Sequence, residues 1–367
     1  MITADILVIG GGIAGISAAA RCAETGAKVV VLEREPSIGA HSTARSAAIF
    51  ITNYGNATLR AINAVSGPLM AAAGEIAEQS LLSPRGMLTL AHDGTLGALN
   101  EMQQGAVGIE PISLADAAAM VPILRQQRFA AAVYEDNAQD IDVDLMLNGF
   151  ARILKRHGGQ VVCKAEVLAI AHNGDWLVTT PEEQFSAPII VNAAGAWGDV
   201  VAQMAGVAPV GLLPMRRSAA ILPPPDGQDV AHWPLLGTVD DLWYAKPMGG
   251  KLMVSPAEED PVAPHDAWPD DMVLAEGLDR FEQDVTMPVV RVERSWAGLR
   301  SFVADRTLVA GFDVAVPGFF WLVGQGGYGV QTAPAMAQLT ADLCTGCPPA
   351  LADWVVTALS PHRFSFK

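Results

Sequence analysis

Residues 1–33 constrain the fold more than any other stretch of the chain. Asp5-Ile-Leu-Val-Ile9 is followed by Gly10-Gly11-Gly12-Ile13-Ala14-Gly15, an alanine-rich run, Lys28-Val-Val-Val-Leu32 and Glu33. The order is strand, glycine turn, helix, strand, acid, which predicts a nucleotide-binding βαβ unit. Gly10 suits the tight turn. Gly12 lets a pyrophosphate approach the backbone, and Gly15 lets the helix pack closely on the strand. Ile13 and Ala14 open that helix, whose N-terminus offers free N–H groups and a partial positive charge to phosphates. Glu33 stands 18 residues after Gly15 (33 − 15), near the spacing of roughly 20 for a carboxylate that holds ribose hydroxyls.

A chain of 367 residues is long enough for two domains. Hydrophobic residues make up 51% and charged residues 17%, which supports a large core and argues against disorder. The net charge of −16 argues against nucleic acid or an anionic membrane as a general partner. Cys22, Cys163, Cys344 and Cys347 are too few and too scattered for a disulfide framework. Cys344 and Cys347 form a CxxC without a second pair or a nearby histidine, so they are expected at a helix end, and no metal site is expected. The first apolar run has no basic segment before it, and no uncharged stretch reaches the roughly 18 residues of a membrane span. A soluble, cytoplasmic protein is the expectation.

Helices are expected over 56–80, over 113–121 with Ser113 as N-cap, and from Asp140–Asp144 to about Arg156, closed by Gly158-Gly159. Strands are expected at 86–90, 160–170, 176–180 and up to Asn192. Val191-Asn-Ala-Ala-Gly-Ala-Trp197 repeats the logic of the first glycine turn, with a helix after it. Residues 210–300 differ. They are Pro-rich, with aromatic strands around Trp243-Tyr244 and strands at 250–255 and 289–294, and they read as a mostly antiparallel second domain. Arg217 is expected to follow a strand there. Leu308–Gly311 and Phe319–Val323 read as buried strands. Gly324-Gln-Gly-Gly-Tyr-Gly329 then forms a second glycine turn, with a helix from about Val330 to Leu343.

A nicotinamide domain needs only one glycine turn. A longer, two-part cofactor such as FAD can use both, the first for its pyrophosphate and the last for its flavin ring. The expected fold class is α/β: a Rossmann-like FAD-binding domain of the glutathione-reductase type, joined to a mostly antiparallel sheet with helices. The expected FAD-binding domain is discontinuous, comprising 1–85, 140–210 and 300–347. The substrate domain comprises 86–139 and 211–299, and 348–367 form a tail.

Several words extend the pattern from end to end: His41-Ser-Thr-Ala-Arg-Ser-Ala-Ala48, Leu81-Leu-Ser-Pro-Arg85, Arg216-Arg-Ser218, Ser295-Trp-Ala-Gly-Leu-Arg-Ser-Phe-Val-Ala-Asp305 and Gln325-Gly-Gly-Tyr-Gly-Val-Gln-Thr332. With the first turn and Val191–Trp197, they make the chain resemble the D-amino-acid oxidase superfamily of FAD enzymes. Within it the words are most similar to those of bacterial D-arginine dehydrogenases. The resemblance implies cofactor contacts from Arg34, Ser42, Thr43, Arg45, Ser46 and Ala47. It implies further contacts from Val167, from Ala194, Gly195 and Trp197, and from Gly327, Tyr328, Gly329, Val330, Gln331 and Thr332. The C-terminal turn has no cysteine, so the FAD is expected to be non-covalent.

The resemblance also places Arg217 and Arg300 at the substrate carboxylate, with Arg216 the weaker candidate of its pair. Arginine suits that role, being always charged and matching a carboxylate with its planar fork. Tyr244 is implied as a carboxylate donor, Tyr54 as a flank of the substrate on a mobile loop, and Gly298, Gly327 and Gln331 as neighbours of the flavin and the amine. Two departures bear on the substrate. The relatives carry an acid just after the Ser-Pro-Arg word, where Gly86 and Met87 follow here, and a histidine where Ile49 stands. Both changes make the far end of the side-chain pocket apolar, where a cationic side chain would be buried without a counter-ion. The expected activity is oxidation of a D-amino acid with an apolar or small side chain. A hydride passes from Cα to flavin N5, and the imino acid hydrolyses to an oxo acid and ammonia. Glycine-, sarcosine- or opine-type amine oxidation is the alternative on the same fold. The expected partners are this small-molecule substrate and an electron acceptor, whether oxygen, a quinone or another.

Overall fold

The computed structural model describes residues 1–364. Strands Gln160–Val162, Val29–Leu32, Ile6–Ile9, Ile189–Asn192 and Phe319–Val323 lie side by side in parallel, and Val309–Phe312 closes the sheet antiparallel. Ile6–Ile9, Val29–Leu32 and Phe319–Val323 are buried at every position. That explains their unbroken apolar runs, since both faces of a parallel sheet are covered. On one face the alanine-rich helix Ile13–Glu24 packs between helices Val143–Arg156 and Gly329–Thr345. The other face is covered by a four-stranded sheet of Ile2–Thr3, Gln184–Ala187, Asp175–Thr179 and Ala169–Asn173. A six-stranded sheet with a glycine turn at its first strand confirms the Rossmann-like half.

The second half is a nine-stranded sheet. Its order is Asp260–Pro261, Leu213–Leu222, Lys251–Ser255, Tyr244–Met248, Leu235–Thr238, Met87–Ala91, Ala131–Glu135 and Ile109–Ile112, with Arg294–Phe302 also paired to Leu213–Leu222. All its pairs are antiparallel except Leu235–Thr238 with Met87–Ala91. One face packs an apolar core with helix Asp271–Asp284. The opposite face carries Arg217, Arg300 and Tyr244, because side chains alternate along each strand. Ile49–Phe50, Gln139–Ile141 and Leu82–Pro84 form a small third sheet. Among the described residues no helix is long and apolar enough to cross a membrane.

Several expected elements are redrawn. The helix expected over 56–80 is Ala57–Ala71, started by Asn56 Oδ1 accepting from Leu59 N–H. Pro68 lies in its last turn, and the chain reverses beyond it at Gly74, whose φ is +57°. Asp140 belongs to a strand, and Asp142 caps the helix Val143–Arg156 instead. The strand expected over 160–170 breaks in two, because the chain leaves the parallel sheet at Lys164, with φ +58°, and joins the four-stranded sheet at Ala169. Residues 289–293 are not a strand. The strand is Arg294–Phe302, since these residues alternate against Leu213–Leu222 and run past the domain boundary expected at 300. Arg217 lies inside its strand rather than after it. The C-terminal segment is folded over much of its described length, with helix Asp353–Leu359 against helix Ala57–Ala71 and Arg363 ion-paired to Asp305. Cys344 does sit in the last turn of its helix, which ends at the left-handed Gly346.

Candidate active site

A continuous cavity runs between the two halves, from the first glycine turn to the arginine face of the large sheet. At one end, Gly10 turns the chain with φ +109°, and a Cβ there would lie 2.4 Å from Ala193 O. A Cβ on Gly15 would lie 1.9 Å from Gly10 O, so the helix packs as closely as the spacing implied. Gly12 caps the helix without a side chain, and Ile13 N–H donates to Thr43 Oγ1 at 3.0 Å. Gly10, Gly12, Ile13 and Ala14 all line the cavity. A side chain at Gly10 would collide with the Ala193 backbone, and the N-terminus of the helix opens on the cavity beside it.

Glu33 lines the same end, but its oxygens also have backbone partners. Gly11 N–H donates to Oε2 at 2.7 Å and Glu35 N–H to Oε1 at 2.8 Å. Each carboxylate oxygen keeps a second lone pair for a ligand hydroxyl. Arg34 stacks over Trp197, its guanidinium carbon 4.9 Å from the ring centre. Val167, Ala194, Gly195 and Trp197 complete this end.

The strip Ser42–Ala47 lines the middle of the cavity, though Ala44 does not. Ser42 hydroxyl donates to Leu299 O at 2.7 Å. Arg45 lines the cavity but spends its fork elsewhere: Nη1 donates to Ala267 O and Ala297 O, both at 3.0 Å, and Nη2 pairs with Asp266. It ties the strip to the large sheet, and no free fork is left for a ligand.

Gly327, Gly329 and Val330 line the far end together with Gly298. Three residues of the closing turn do not line the cavity. Tyr328 is buried and its hydroxyl donates to Arg306 O. Gln331 is buried, and its Oε1 accepts from Ile51 N–H at 3.2 Å. Thr332 hydroxyl donates to Tyr328 O at 2.8 Å within its own helix. The helix beginning at Gly329 turns Gln331 and Thr332 into the core, and Tyr328 stands at its N-cap. Ile49 and Met87 do not line the cavity either. They sit on strands paired to Asp140 and Glu135, and Met253 lines the cavity instead.

Arg217, Arg300 and Tyr244 converge at this end. In register, Arg217 faces Gly298 and Arg300 faces Met215, so the arginines are diagonal neighbours on one face. Arg217 is tethered, with Nε donating to Glu258 O at 2.8 Å and Nη2 to Glu259 Oε1 at 3.2 Å. Arg300 is different. Among the described residues it has no acidic partner, only Nη2 donating to Tyr244 hydroxyl at 3.5 Å. Its Nη1 and the Tyr54 hydroxyl each lie 3.0 Å from the place a Cβ would take on Gly327. Burial pushes the Tyr244 phenol up, but the Arg300 and Arg217 charges outweigh burial and hold it below its ordinary value. Glu259 and Asp241 act on the Arg300 charge only at longer range, so a half-buried guanidinium with no ion-pair partner, beside two phenols, is a site for an anion. Arg216 points away and pairs with Asp260 at 2.9 Å.

The motif reading missed Lys246. Its Nζ donates to Ala47 O at 2.7 Å and Ala48 O at 3.1 Å, and forms an ion pair with Asp140 Oδ1 at 2.6 Å. The available signal was a lysine two residues after Tyr244 in a strand, which period-two alternation places on the same face.

The chain matches the family described as DAO, FAD dependent oxidoreductase, over residues 5–343. It is 28% identical over 221 residues to gamma-glutamylputrescine oxidoreductase of Escherichia coli (strain K12), covering 54% of this chain and 51% of that protein. The match thus spans about half the length of that relative. Among solved structures, glycine oxidase from Geobacillus kaustophilus superposes with a TM-score of 0.85 at 19% identity, covering 98% of each chain. L-Proline dehydrogenase from P.horikoshii superposes with a TM-score of 0.84 at 23% identity, covering 99% of this chain and 98% of that one.

Proposed function

The chain belongs to the DAO family of FAD-dependent oxidoreductases, and on that premise we propose that it oxidises the carbon–nitrogen bond of a carboxylate-bearing amine, a D-amino acid in the first instance. The observation that carries this reading is Arg300, half-buried, without an ion-pair partner among the described residues, and facing Tyr244 and Tyr54. Arg300 takes the carboxylate, Tyr244 donates a second hydrogen bond to it, and Arg217, already paired with Glu259, adds charge from the side. The Gly10–Gly15 turn and Glu33 hold the ADP half of FAD. The strip Ser42–Ala47 and the Gly327–Val330 turn hold its flavin half.

FAD, when bound, supplies the acceptor for the hydride that leaves Cα. The chain's own contribution is position. The clamp fixes the carboxylate so that Cα and its hydrogen face the ring, which removes orientational freedom before reaction. The amine must be neutral, so that its lone pair forms the C=N bond as the C–H bond breaks. The imino acid then takes up water and releases ammonia and an oxo acid.

The test is anaerobic mixing of the holoprotein with a panel of D-amino acids, following flavin bleaching. Bleaching by at least one D-amino acid is the expected result. A panel in which no carboxylate-bearing amine bleaches the flavin would overturn the reading. Sarcosine and N-carboxyalkyl amino acids form the second arm. Bleaching confined to that arm would identify a secondary-amine enzyme.

A further inference from the structure

We infer that Lys246 is a positioning residue for the cofactor and that it acts through the Ser46 hydroxyl. Lys246 is only 6% exposed. It shares a sheet face with Tyr244, and both Tyr244 and its own cross-strand partner Met253 line the cavity. Its ammonium reaches across to the other half of the molecule and binds two successive carbonyls, Ala47 O and Ala48 O.

Successive carbonyls converge on one cation here because Ala48 has φ +33°, a backbone region that residues with a Cβ disfavour. Ala47 O and Ala48 N–H belong to one planar peptide unit, so the lysine that holds the oxygen also fixes the N–H, which donates to Ser46 Oγ at 3.0 Å. A hydroxyl that accepts such a bond keeps its hydrogen to give away. Ser46 lines the cavity, and among the described residues its hydroxyl has no acceptor. Lys246 thereby makes Ser46 a fixed donor toward whatever fills the cavity.

Asp140 completes the device. It stands 2.6 Å from Nζ and is held in turn by Arg85, whose Nε donates to Oδ2 at 2.7 Å. Burial pushes the Lys246 ammonium below its ordinary pKa, and the Asp140 carboxylate opposes this. Asp140 is shared between Lys246 and Arg85, so it does not neutralise both cations. What Lys246 transmits to Ser46 is geometry, carried by the Ala47–Ala48 peptide, and the double variant K246M/S46A separates this from a direct effect of charge.

A lysine that only tied the two halves together would affect stability and leave the bound cofactor's properties alone. The inference requires more. Removing Lys246 releases the bend, and the cofactor loses a donor that favours electron uptake. The experiment uses the purified holoprotein and needs no substrate, so it stands apart from the substrate assignment. K246M, S46A, S46T and the double variant K246M/S46A are compared by flavin midpoint potential, visible spectrum and FAD dissociation constant. K246M is expected to shift the potential to more negative values, alter the flavin spectrum and hold FAD about tenfold more weakly. S46A should reproduce the potential shift, S46T should keep the wild-type potential, and the double variant should go no further than either single one. K246M with a wild-type potential and spectrum, or a double variant whose shift is the sum of the two, would overturn the inference. Should K246M not yield folded holoprotein, K246Q takes its place, with a negative shift expected and an unchanged potential again overturning it.

Discussion

Gly327 and Arg300 are fitted to one another: a Cβ added to Gly327 would stand 3.0 Å from Arg300 Nη1 and 3.2 Å from its guanidinium carbon. The same Cβ would stand 3.0 Å from the Tyr54 hydroxyl. A glycine here is thus a condition for the arginine's position. Gly327→Ala should displace the fork by a few tenths of an ångström to an ångström. Misplacement on that scale lowers turnover by about 100-fold. We expect kcat/KM for the best amine to fall by that factor with Tm nearly unchanged. A G327A enzyme with wild-type kcat/KM would remove the steric coupling from the account.

The two arginines should separate on mutation. Among the described residues Arg300 forms no ion pair, so Arg300→Ala should raise KM by about 10- to 100-fold, the loss of a charge-assisted hydrogen bond, with little change in Tm. Arg217 is held by the Glu258 carbonyl and Glu259. Arg217→Ala should lower Tm by about 2 °C or more and raise KM less than R300A does. Steady-state kinetics and thermal melting on both variants check the split. The reverse pattern would make Arg217 the main carboxylate ligand.

Tyr244 gives the site an alkaline limit. Burial raises its pKa, yet Arg300 and Arg217 win and the phenol lies below its ordinary value, about 10. As pH rises through that depressed value, the hydroxyl turns from a donor into a phenolate that competes for the Arg300 charge. KM should therefore rise with pH before pH 10 is reached, while Tyr244→Phe should show a higher but flat KM over the same range. A wild-type KM that stays level to pH 10 would contradict this sign.

Gly11 links the cofactor turn to its acid. A Cβ on Gly11 would meet Glu33 Oε2 at 2.8 Å and Glu33 Cβ at 2.9 Å. Gly11→Ala should push the carboxylate out of reach of its backbone donors. Overpacking of this kind costs about 1–3 kcal/mol. The expected outcome is weaker FAD retention on gel filtration and a lower Tm of the holoprotein. G11A that binds FAD like the wild type would show that Glu33 can move freely.

Local physics made the nucleotide half legible. Gly10, Gly15 and the apolar runs Ile6–Ile9 and Val29–Leu32 sit close together in sequence, and their spacing alone dictates a turn, a close helix contact and a buried parallel pair. The word spanning Ser295–Asp305 was conspicuous, yet its conformation was misplaced. Whether residues 289–293 or Arg294–Phe302 form the strand depends on alternation against Leu213–Leu222, far away in the chain. Gln331 and Thr332 show a side-chain placement that no motif reveals. Their motif points to the cofactor, but the helix starting at Gly329 turns them inward, onto Ile51 and Tyr328.

The sequence by itself determined a glycine-cradled βαβ unit, an acidic chain with a few well-placed arginines, and a second sheet, because these follow from periodicity, glycine's freedom and charge counts. Only the tertiary structure decided which arginine is uncompensated. Arg217 and Arg300 look alike in sequence, but the Glu258 carbonyl and the Glu259 carboxylate bind one of them, and among the described residues no carboxylate forms an ion pair with the other. Likewise Lys246 and Ala48 are 198 residues apart, and only packing of the two halves brings an ammonium onto that bend. Long-range electrostatic pairing is set by where side chains meet in space, which no local pattern encodes.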